Sequence, residues 1–487
     1  MKILLLGVGL QGRAALYDLA HSPDVAHVIA ADADISTLRA FSESLPTDRV
    51  SATRVDVRDE ARVAKLMQKA QAVIALLPHT FCAPIARQAI ECGIHYVDAS
   101  YPDPTYKKLA PKAVASGAAI LPEMGLDPGI DLLLARQAVS ELDVVTRLDS
   151  YGGGIPISEA ADNPLRYKIS WTFAGVLRSY ADRAARLIVS GAPVDIPPRA
   201  LFSEAHRHTV TVPTLGELEA YPNGDATQYL KALGIADSVQ HAGRYSLRWP
   251  GHCTFWDKLV NLGFLEETPV KTGAATVSPR QFVHDLLLPQ LQYGPDERDA
   301  VVVRVEAHGL KAAQPRRVTY EMVDRRDTET GLLAMQRTVG FTASIGAQLL
   351  LRGDIRARGL LSPVSDVPAQ LLFSSSQNCA TGESAYIAAS PVPPRIREPA
   401  HIYAGSEEYL LCVADAGIQM QSCRSSQRRL DAFAGMTPRR SGGLRSVILK
   451  KEGCYAFTAA ADSFSRSAVA SRLAALSRTA SPCAPTI

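Results

Sequence analysis

The apolar run Ile3-Leu-Leu-Leu6 leads directly into Gly7-Val-Gly-Leu-Gln-Gly12, and this junction constrains the fold more than any other stretch. A continuous apolar run suits a strand covered on both faces. Arg13–Ala20 has helical character, so the glycines fall where a strand must turn at once into a helix. At such a turn Gly7 permits the tight bend, Gly9 lets the backbone approach a pyrophosphate, and Gly12 lets the helix pack on the strand. Leu10 and Gln11 complete the turn. The helix N-terminus adds free N–H groups and a favourable dipole for an anion.

Further elements alternate in the same manner. Val28–Ala31 reads as a second strand ending at Asp32, Thr53–Asp56 as a third and Ala72–Leu77 as a fourth. Pro84–Cys92 reads as a helix, His95–Val97 as a fifth strand and Ala118–Leu121 as a sixth. This rhythm predicts an α/β fold with a Rossmann-type, doubly wound parallel sheet. After about residue 126 it changes. Val145–Tyr151, Arg207–Val212, Val301–His308 and Arg317–Val323 read as strands, several with alternating polarity, which suits a mixed or antiparallel sheet. Ala334–Leu351 reads as a helix rich in small residues. The expected organisation is a dinucleotide-binding domain over 1–125, a second α/β (α+β) domain over 126–345, a segment over 346–373 returning to the first domain, and an atypical tail over 374–487.

The net charge of +3 gives no argument for nucleic acid or an anionic membrane. The cysteines show no metal-ligand pair spacing, so no metal site is expected, and their sparseness suits a reducing compartment. No stretch approaches the length of a membrane span, and the N-terminal apolar run lacks a cleavage pattern, so the expectation is a cytoplasmic protein without membrane or nucleic-acid partners. From Phe373 onward 13 Lys/Arg stand against 8 Asp/Glu and the periodic pattern fades, as in a disordered tail or a small extra domain.

Candidate site residues follow from position on the sheet, because loops at the carboxyl ends of parallel strands line the ligand crevice. Asp32 can accept hydrogen bonds from both ribose hydroxyls and repels a 2′-phosphate, and Ala33 offers no arginine next to it; this favours NAD over NADP. Asp34 competes for that role, and Asp56 either edges the adenine site or is an exposed loop acid. In Leu77-Pro-His-Thr-Phe81, Leu77, Pro78 and Thr80 are candidates beside ribose or nicotinamide, whereas His79 reads as a loop residue. Ser100 and Tyr101 follow the fifth strand and reach the same crevice. Glu123 and Asp127 follow the sixth; Asp127 suits a substrate ammonium, or an Asx-turn or N-cap before Ile130. Lys168 and Arg248, taken singly, read as solvated charges, and His252 follows a Pro-Gly turn.

Together these segments resemble the saccharopine dehydrogenase (saccharopine reductase, L-glutamate-forming) family and its lysine 6-dehydrogenase-like relatives. The resemblance rests on Leu77–Phe81, Ser100-Tyr101, Glu123–Asp131, Gly153-Gly-Ile-Pro156, Asp162–Trp171, Tyr221-Pro-Asn223, Leu247-Arg-Trp-Pro-Gly251 and Gly359–Pro363, and spans roughly residues 1 to 370. It implies a substrate-binding and dimerisation domain after the Rossmann domain, a homodimer, and hydride transfer between a nicotinamide and a C–N bond of an amino-acid substrate such as saccharopine, in lysine metabolism. By resemblance Ser100, Tyr101, Asp127 and the Tyr245-Ser246-Leu247 backbone bind substrate, while Leu126, Pro128 and Trp171 lie near the cofactor. Asp127 would orient the nitrogen, and Tyr101 and Lys168 are the acid/base candidates, provided their pKa values are lowered.

Three positions depart from the family pattern. Asp32 stands where the family carries an arginine for the cofactor phosphate, Gly152 where it carries a cysteine, and Gly224 where it carries a substrate-binding arginine. These departures open alternatives: lysine 6-dehydrogenase, a carboxyalkyl-polyamine dehydrogenase, or a non-catalytic NAD-binding regulator. The tail departs as well. A one-base shift over Ser375–Tyr386 can be written so that it restores the family's ending, which motivates reading the residues beyond about 374 as frameshifted.

Overall fold

The computed structural model describes residues 1–367 and, beyond them, four short strands at Ile402–Ala404, Glu407–Tyr409, Ser446–Lys451 and Cys454–Ala459. The reading of residues 374–487 as a disordered or frameshifted tail otherwise lies outside the described residues. The chain divides into two units, Met1–Gln421 and Ser422–Ile487. In the second, Ser446–Lys451 pairs antiparallel with Cys454–Ala459. The first unit holds everything described below.

It opens with β1 (Lys2–Leu6), α1 (Leu10–His21), β2 (His27–Asp32), α2 (Ile35–Glu43), β3 (Val50–Arg54) and α3 (Glu60–Met67). Next come β4 (Ala72–Ala75), α4 (His79–Glu91), β5 (His95–Asp98), α5 (Tyr106–Ala115) and β6 (Ala119–Leu121). Alternate residues of β1 feed two cores: Ile3 and Leu5 one, Leu4 and Leu6 the other, as expected for a sheet covered on both faces. The third strand runs from Val50 to Arg54 rather than over 53–56, so Asp56 lies beyond its end. The helix after β4 starts at His79, ahead of the expected Pro84, which it carries inside.

The second part comprises α6 (Ile130–Ser140), β7 (Val144–Pro156), α7 (Phe173–Ala181), β8 (Ala185–Val189), β9 (Ala192–Ile196), β10 (His208–Val212), β11 (Gly216–Pro222) and β12 (His241–Arg248). After these lie α8 (His252–Asn261), β13 (Val270–Thr272), β14 (Ala275–Val277), α9 (Pro279–Leu287), β15 (Asp299–Lys311) and β16 (Gln314–Arg325). They build a mixed sheet in the order β10-β11-β12-β7-β15-β16, with β8 branching from β12 and pairing with β9. Its β12–β7 pair is parallel. β7 continues through Gly152-Gly-Gly154, a run with poor strand propensity, because β15 pairs with all three glycines and β12 also pairs with Gly152.

The chain then returns through α10 (Ala334–Arg352) and β17 (Gly359–Leu360), and β17 pairs parallel with β6. The first sheet therefore has seven strands in the order β17-β6-β5-β4-β1-β2-β3. α10 lies backbone to backbone against α1: a Cβ on Gly340 would sit 2.4 Å from the Gln11 carbonyl oxygen and 2.7 Å from the Ala15 nitrogen. A buried polar set joins the same helices, with Ser344 Oγ donating to Asp18 Oδ2 at 2.6 Å and Ser22 Oγ to Gln348 Oε1 at 2.7 Å. Among the described residues no helix is long and apolar enough to cross a membrane.

A Gly340→Val variant should push these two helices apart. It should lower stability by roughly 1–3 kcal/mol, read by urea unfolding, and weaken dinucleotide binding, because α1 carries the glycine turn.

Candidate active site

The glycine turn shows why each glycine is needed. Gly7 has φ +86°, and a Cβ there would lie 2.4 Å from the Leu76 carbonyl oxygen. At Gly12 a Cβ would meet the Gly7 carbonyl oxygen at 2.0 Å. At Gly9 it would meet nothing within 4 Å, so the turn is open at the point where a pyrophosphate would approach. No side chain caps α1, and its first N–H groups point out of the turn. These residues fit a bound dinucleotide.

Asp32 and Asp34 divide two tasks. Asp32 ties the end of β2 to the turn: its Oδ2 accepts from the Val8 N–H at 2.6 Å and its Oδ1 from the Asp34 N–H at 2.9 Å. Asp34 caps α2, accepting from the Ser36 and Thr37 N–H groups and hydroxyls, which hold its carboxyl well below the usual range. Asp56 is exposed and bonded to Arg58, whose hydrogen bonds lower its pKa to about 2. Leu77 packs under Gly7, and Pro78 and Thr80 are exposed at the start of α4, as is His79. Gln11 Nε2 donates to the Ser170 carbonyl at 3.2 Å, joining the turn to the segment that carries Trp171. Trp171 is exposed and stacks on Gly175, while Leu126 and Pro128 are buried.

The loops after β5 and β6 are laced together. The Glu123 N–H bonds the Ser100 carbonyl and the Met124 N–H bonds that of Asp98. Asp98 is fully buried; burial pushes its pKa up to about 6, even though the Tyr106 and Tyr96 hydroxyls donate to it at 2.6 and 2.7 Å. Its Oδ1 accepts from the Ser100 N–H at 2.8 Å and so fixes the Ser100 backbone.

Arg244 and Tyr101 then converge on Asp127. The start of α6 is secured by Asp131, whose Oδ1 accepts from the Gly129 N–H at 2.8 Å. Asp127 does not cap α6: the N-cap is Gly129, without a side-chain cap, and the Asp127 carboxylate is bonded elsewhere. Its Oδ1 accepts from the Arg244 guanidinium and, at 3.4 Å, from the Tyr101 hydroxyl. Arg244 also pairs with Asp131 Oδ2 at 2.8 Å and lies over the rings of Tyr229 (5.0 Å) and Tyr101 (5.9 Å). Tyr229 donates to Glu123 Oε1 at 2.5 Å. Burial works against the charge on Arg244, but Asp127 and Asp131 outweigh it and keep the guanidinium charged. Burial raises Asp131 and lifts Glu123 to about 7.

Strand register explains the meeting. In the parallel β12–β7 pair, Arg244 lies beside Ser150 and Ser246 beside Gly152. Side chains alternate along a strand, so Arg244, Ser246 and Gly152 share the face toward Asp127. A Cβ on Gly152 would indeed lie 2.8 Å from Asp127 Oδ2. Tyr245 and Leu247 face the other way, Tyr245 stacking on Tyr151 at 5.1 Å. Of the candidates 245–247, only Ser246 turns its side chain to this face. Gly224, at φ +80°, leaves space beside the cluster: a Cβ there would be 3.4 Å from the Tyr101 hydroxyl.

Both acid/base expectations need correction. Lys168 is held by Glu297 and, at 3.0 Å, by Asp162; burial disfavours its charge, but the two carboxylates prevail and its pKa is raised. The Tyr101 pKa is also raised, by burial first and by the carboxylates around it. Neither has the lowered pKa the role requires. Lys168 and Arg248 are not solvated charges either. Arg248 is buried with its guanidinium 5.2 Å from the Tyr167 ring, and His252 is buried with Nε2 3.0 Å from the Tyr180 hydroxyl.

Sequence reasoning missed Arg244, Asp131, Tyr229 and Asp98 as parts of this site. For Arg244 a signal existed: stepping back two residues from Ser246 reaches it on the same strand face. The Glu123–Tyr229 contact carried none, being 106 residues apart in the chain.

Residues 125–372 match the family model described as the saccharopine dehydrogenase C-terminal domain, and residues 3–121 the saccharopine dehydrogenase NADP binding domain. The mitochondrial alpha-aminoadipic semialdehyde synthase of Mus musculus is 28% identical over 425 residues, covering 74% of this chain and 45% of that protein. The chain thus spans under half the length of that relative. The saccharopine dehydrogenase (NADP(+), L-glutamate-forming) of Saccharomyces cerevisiae is 27% identical over 428 residues, 75% of this chain and 94% of its own. A solved structure of apo saccharopine dehydrogenase (L-Glu forming) from Saccharomyces cerevisiae superposes with a TM-score of 0.67 at 25% identity, covering 77% of this chain and 97% of that one. The NADP named in these descriptions lends no support to the NAD preference read from Asp32.

Glu123 gives this site a pH signature. With its pKa at about 7 against an ordinary 4.5, the folded chain keeps a proton that the unfolded chain releases, so stability falls as pH rises through that window. Relative to Glu123→Gln, the wild type should lose about 1–3 kcal/mol of stability across it, measured by denaturant unfolding at a series of pH values.

Proposed function

Because the chain belongs to the saccharopine dehydrogenase family, we propose that it is a nicotinamide-dependent oxidoreductase acting on the C–N bond of an amino-acid substrate such as saccharopine. The observation that carries this reading is Asp127: a carboxylate with Oδ1 held by Arg244 and Tyr101 and Oδ2 lying over Gly152. The bound nicotinamide supplies a hydride acceptor or donor. The turn Gly7–Gly12 would hold its pyrophosphate and Asp32 its ribose, with Leu77, Pro78, Thr80, Leu126, Pro128 and Trp171 nearby.

In the oxidative direction the substrate amine is neutral as its carbon gives up hydride, and positive charge develops on the nitrogen. Asp127 orients that nitrogen and stabilises the developing iminium electrostatically. Water then hydrolyses the iminium to a carbonyl compound and a free amine. Ser100 and Ser246 supply hydroxyls along the same wall. Neither Tyr101 nor Lys168 serves as the proton acceptor in this reading: Tyr101 acts as a neutral donor to Asp127 Oδ1, and Lys168 holds the 162–171 segment against Glu297.

A second reading follows from Gly224. Space beside Tyr101 and a single cation among several carboxylates suit an amine with fewer carboxylates than saccharopine, such as lysine or a carboxyalkyl polyamine. For the cofactor we favour NAD, because an aspartate at the ribose position disfavours a 2′-phosphate.

A screen of NAD and NADP reduction against saccharopine, lysine and carboxyalkyl polyamines tests the reaction class; cofactor binding without turnover on any of them would point to the non-catalytic regulator instead. Asp127→Ala should lower kcat/KM by on the order of 100-fold or more with the Kd for NAD unchanged, and near-normal turnover would remove Asp127 from the chemistry. Asp32→Ala should reduce the NAD over NADP preference by about tenfold, the worth of one charge-assisted hydrogen bond; a wild type that strongly prefers NADP would overturn the choice of cofactor.

A further inference from the structure

Asp127 has two carboxylate oxygens, and the structure treats them differently. Both of its hydrogen bonds, from Arg244 and from Tyr101, end on Oδ1. Oδ2 lies over Gly152, where a Cβ would come within 2.8 Å of it. A side chain at position 152 would cover or displace this oxygen, so glycine leaves it open to the crevice.

Arg244 is itself immobilised. It is 4% exposed. Asp131 Oδ2 holds it from α6, while the rings of Tyr229 and Tyr101 cover the guanidinium. Asp127 and the Arg244 guanidinium lie in one cluster drawn from the packed elements. Arg244 comes from β12, Asp131 from α6, Tyr101 from the loop after β5, Glu123 from the end of β6, and Tyr229 from the segment before β12. Asp98 lies behind Glu123. Arg244 is the cation of the set.

We propose that Arg244 is a positioning residue for Asp127: it clamps Oδ1, so that Oδ2, uncovered by Gly152, is the oxygen that takes the substrate nitrogen. This rests on the C–N reading above for the identity of the bound nitrogen, but not for the effect of Arg244 on Asp127.

The effect follows from geometry. Arg244 is fixed by Asp131 and by two ring faces, so the oxygen it binds is fixed as well. Without the guanidinium, Oδ1 keeps only the 3.4 Å contact to the Tyr101 hydroxyl and the carboxylate is free to turn. An Oδ2 that no longer stays over Gly152 is not held toward the substrate nitrogen.

The test uses the full chain loaded with NAD and whichever amine the screen identifies. In Arg244→Met kcat should fall by on the order of 100-fold as Oδ1 loses its clamp, with KM moved far less. Arg244→Lys restores a hydrogen-bonding cation and should recover most of kcat. A role confined to stability would make Lys and Met equally damaging, which overturns the proposal. If Arg244→Met does not fold, Arg244→Gln replaces it as the uncharged variant. Gly152→Ala leaves Arg244 untouched; it should lower kcat/KM at least tenfold with NAD affinity unmoved, and full activity would rule out Oδ2 as the working oxygen. A crystal structure of the Arg244 variant needs no turnover. An Asp127 carboxylate unmoved by loss of Arg244 overturns the proposal even if the C–N reading holds, and a displaced carboxylate in a protein that turns over no amine overturns only that reading.

Discussion

One guanidinium holds the site together. Arg244 rises from the mixed sheet and meets two carboxylates, Asp127 just before α6 and Asp131 in its first turn. A buried charge is costly unless paired and hydrogen-bonded. Here burial and pairing are inseparable: Asp131 anchors the cation, and the cation presents Asp127. Asp131 can do this because its other oxygen already secures the start of α6. The crevice between the sheets thus depends on a three-membered ionic set, with Tyr101 and Tyr229 closing it by their ring faces.

The cofactor side depends on backbone packing instead. Gly7 and Gly12 sit where no side chain fits, and Gly340 lets α10 lie directly on α1. The late return of the chain therefore has a mechanical consequence. It presses on the helix whose N-terminus carries the phosphate-binding turn, and the Asp18–Ser344 bond fixes the register of that contact. Gln11 then passes the connection on to the substrate side through Ser170.

Gly152 and Gly224 give the crevice its particular shape. The first uncovers an oxygen of Asp127, and the second opens a space beside the Tyr101 hydroxyl. Both stand where the family pattern has larger polar side chains. The acidic cluster beside them is paired with Arg244.

The parallel sheet, the glycine turn and the helix from Ala334 were legible in the sequence because their signals are local: an apolar run, glycines at fixed spacing, and a stretch of small residues. The strands β8, β9, β11 and β12 were not, being held mainly by their neighbours in the sheet. Asp127 could be placed at a strand end, but its partner could not, because Arg244 lies 117 residues away. Likewise Lys168 was nominated as an acid/base by residue type, and only the approach of Glu297, 129 residues on, turned it into an ion pair. What the sequence by itself determined was the fold class, the nucleotide turn and the family's run of motifs, all encoded in near-neighbour spacing. What only the tertiary structure decided was which charges face one another. A pKa and a carboxylate's orientation depend on distance and burial, and neither exists until the two sheets have packed.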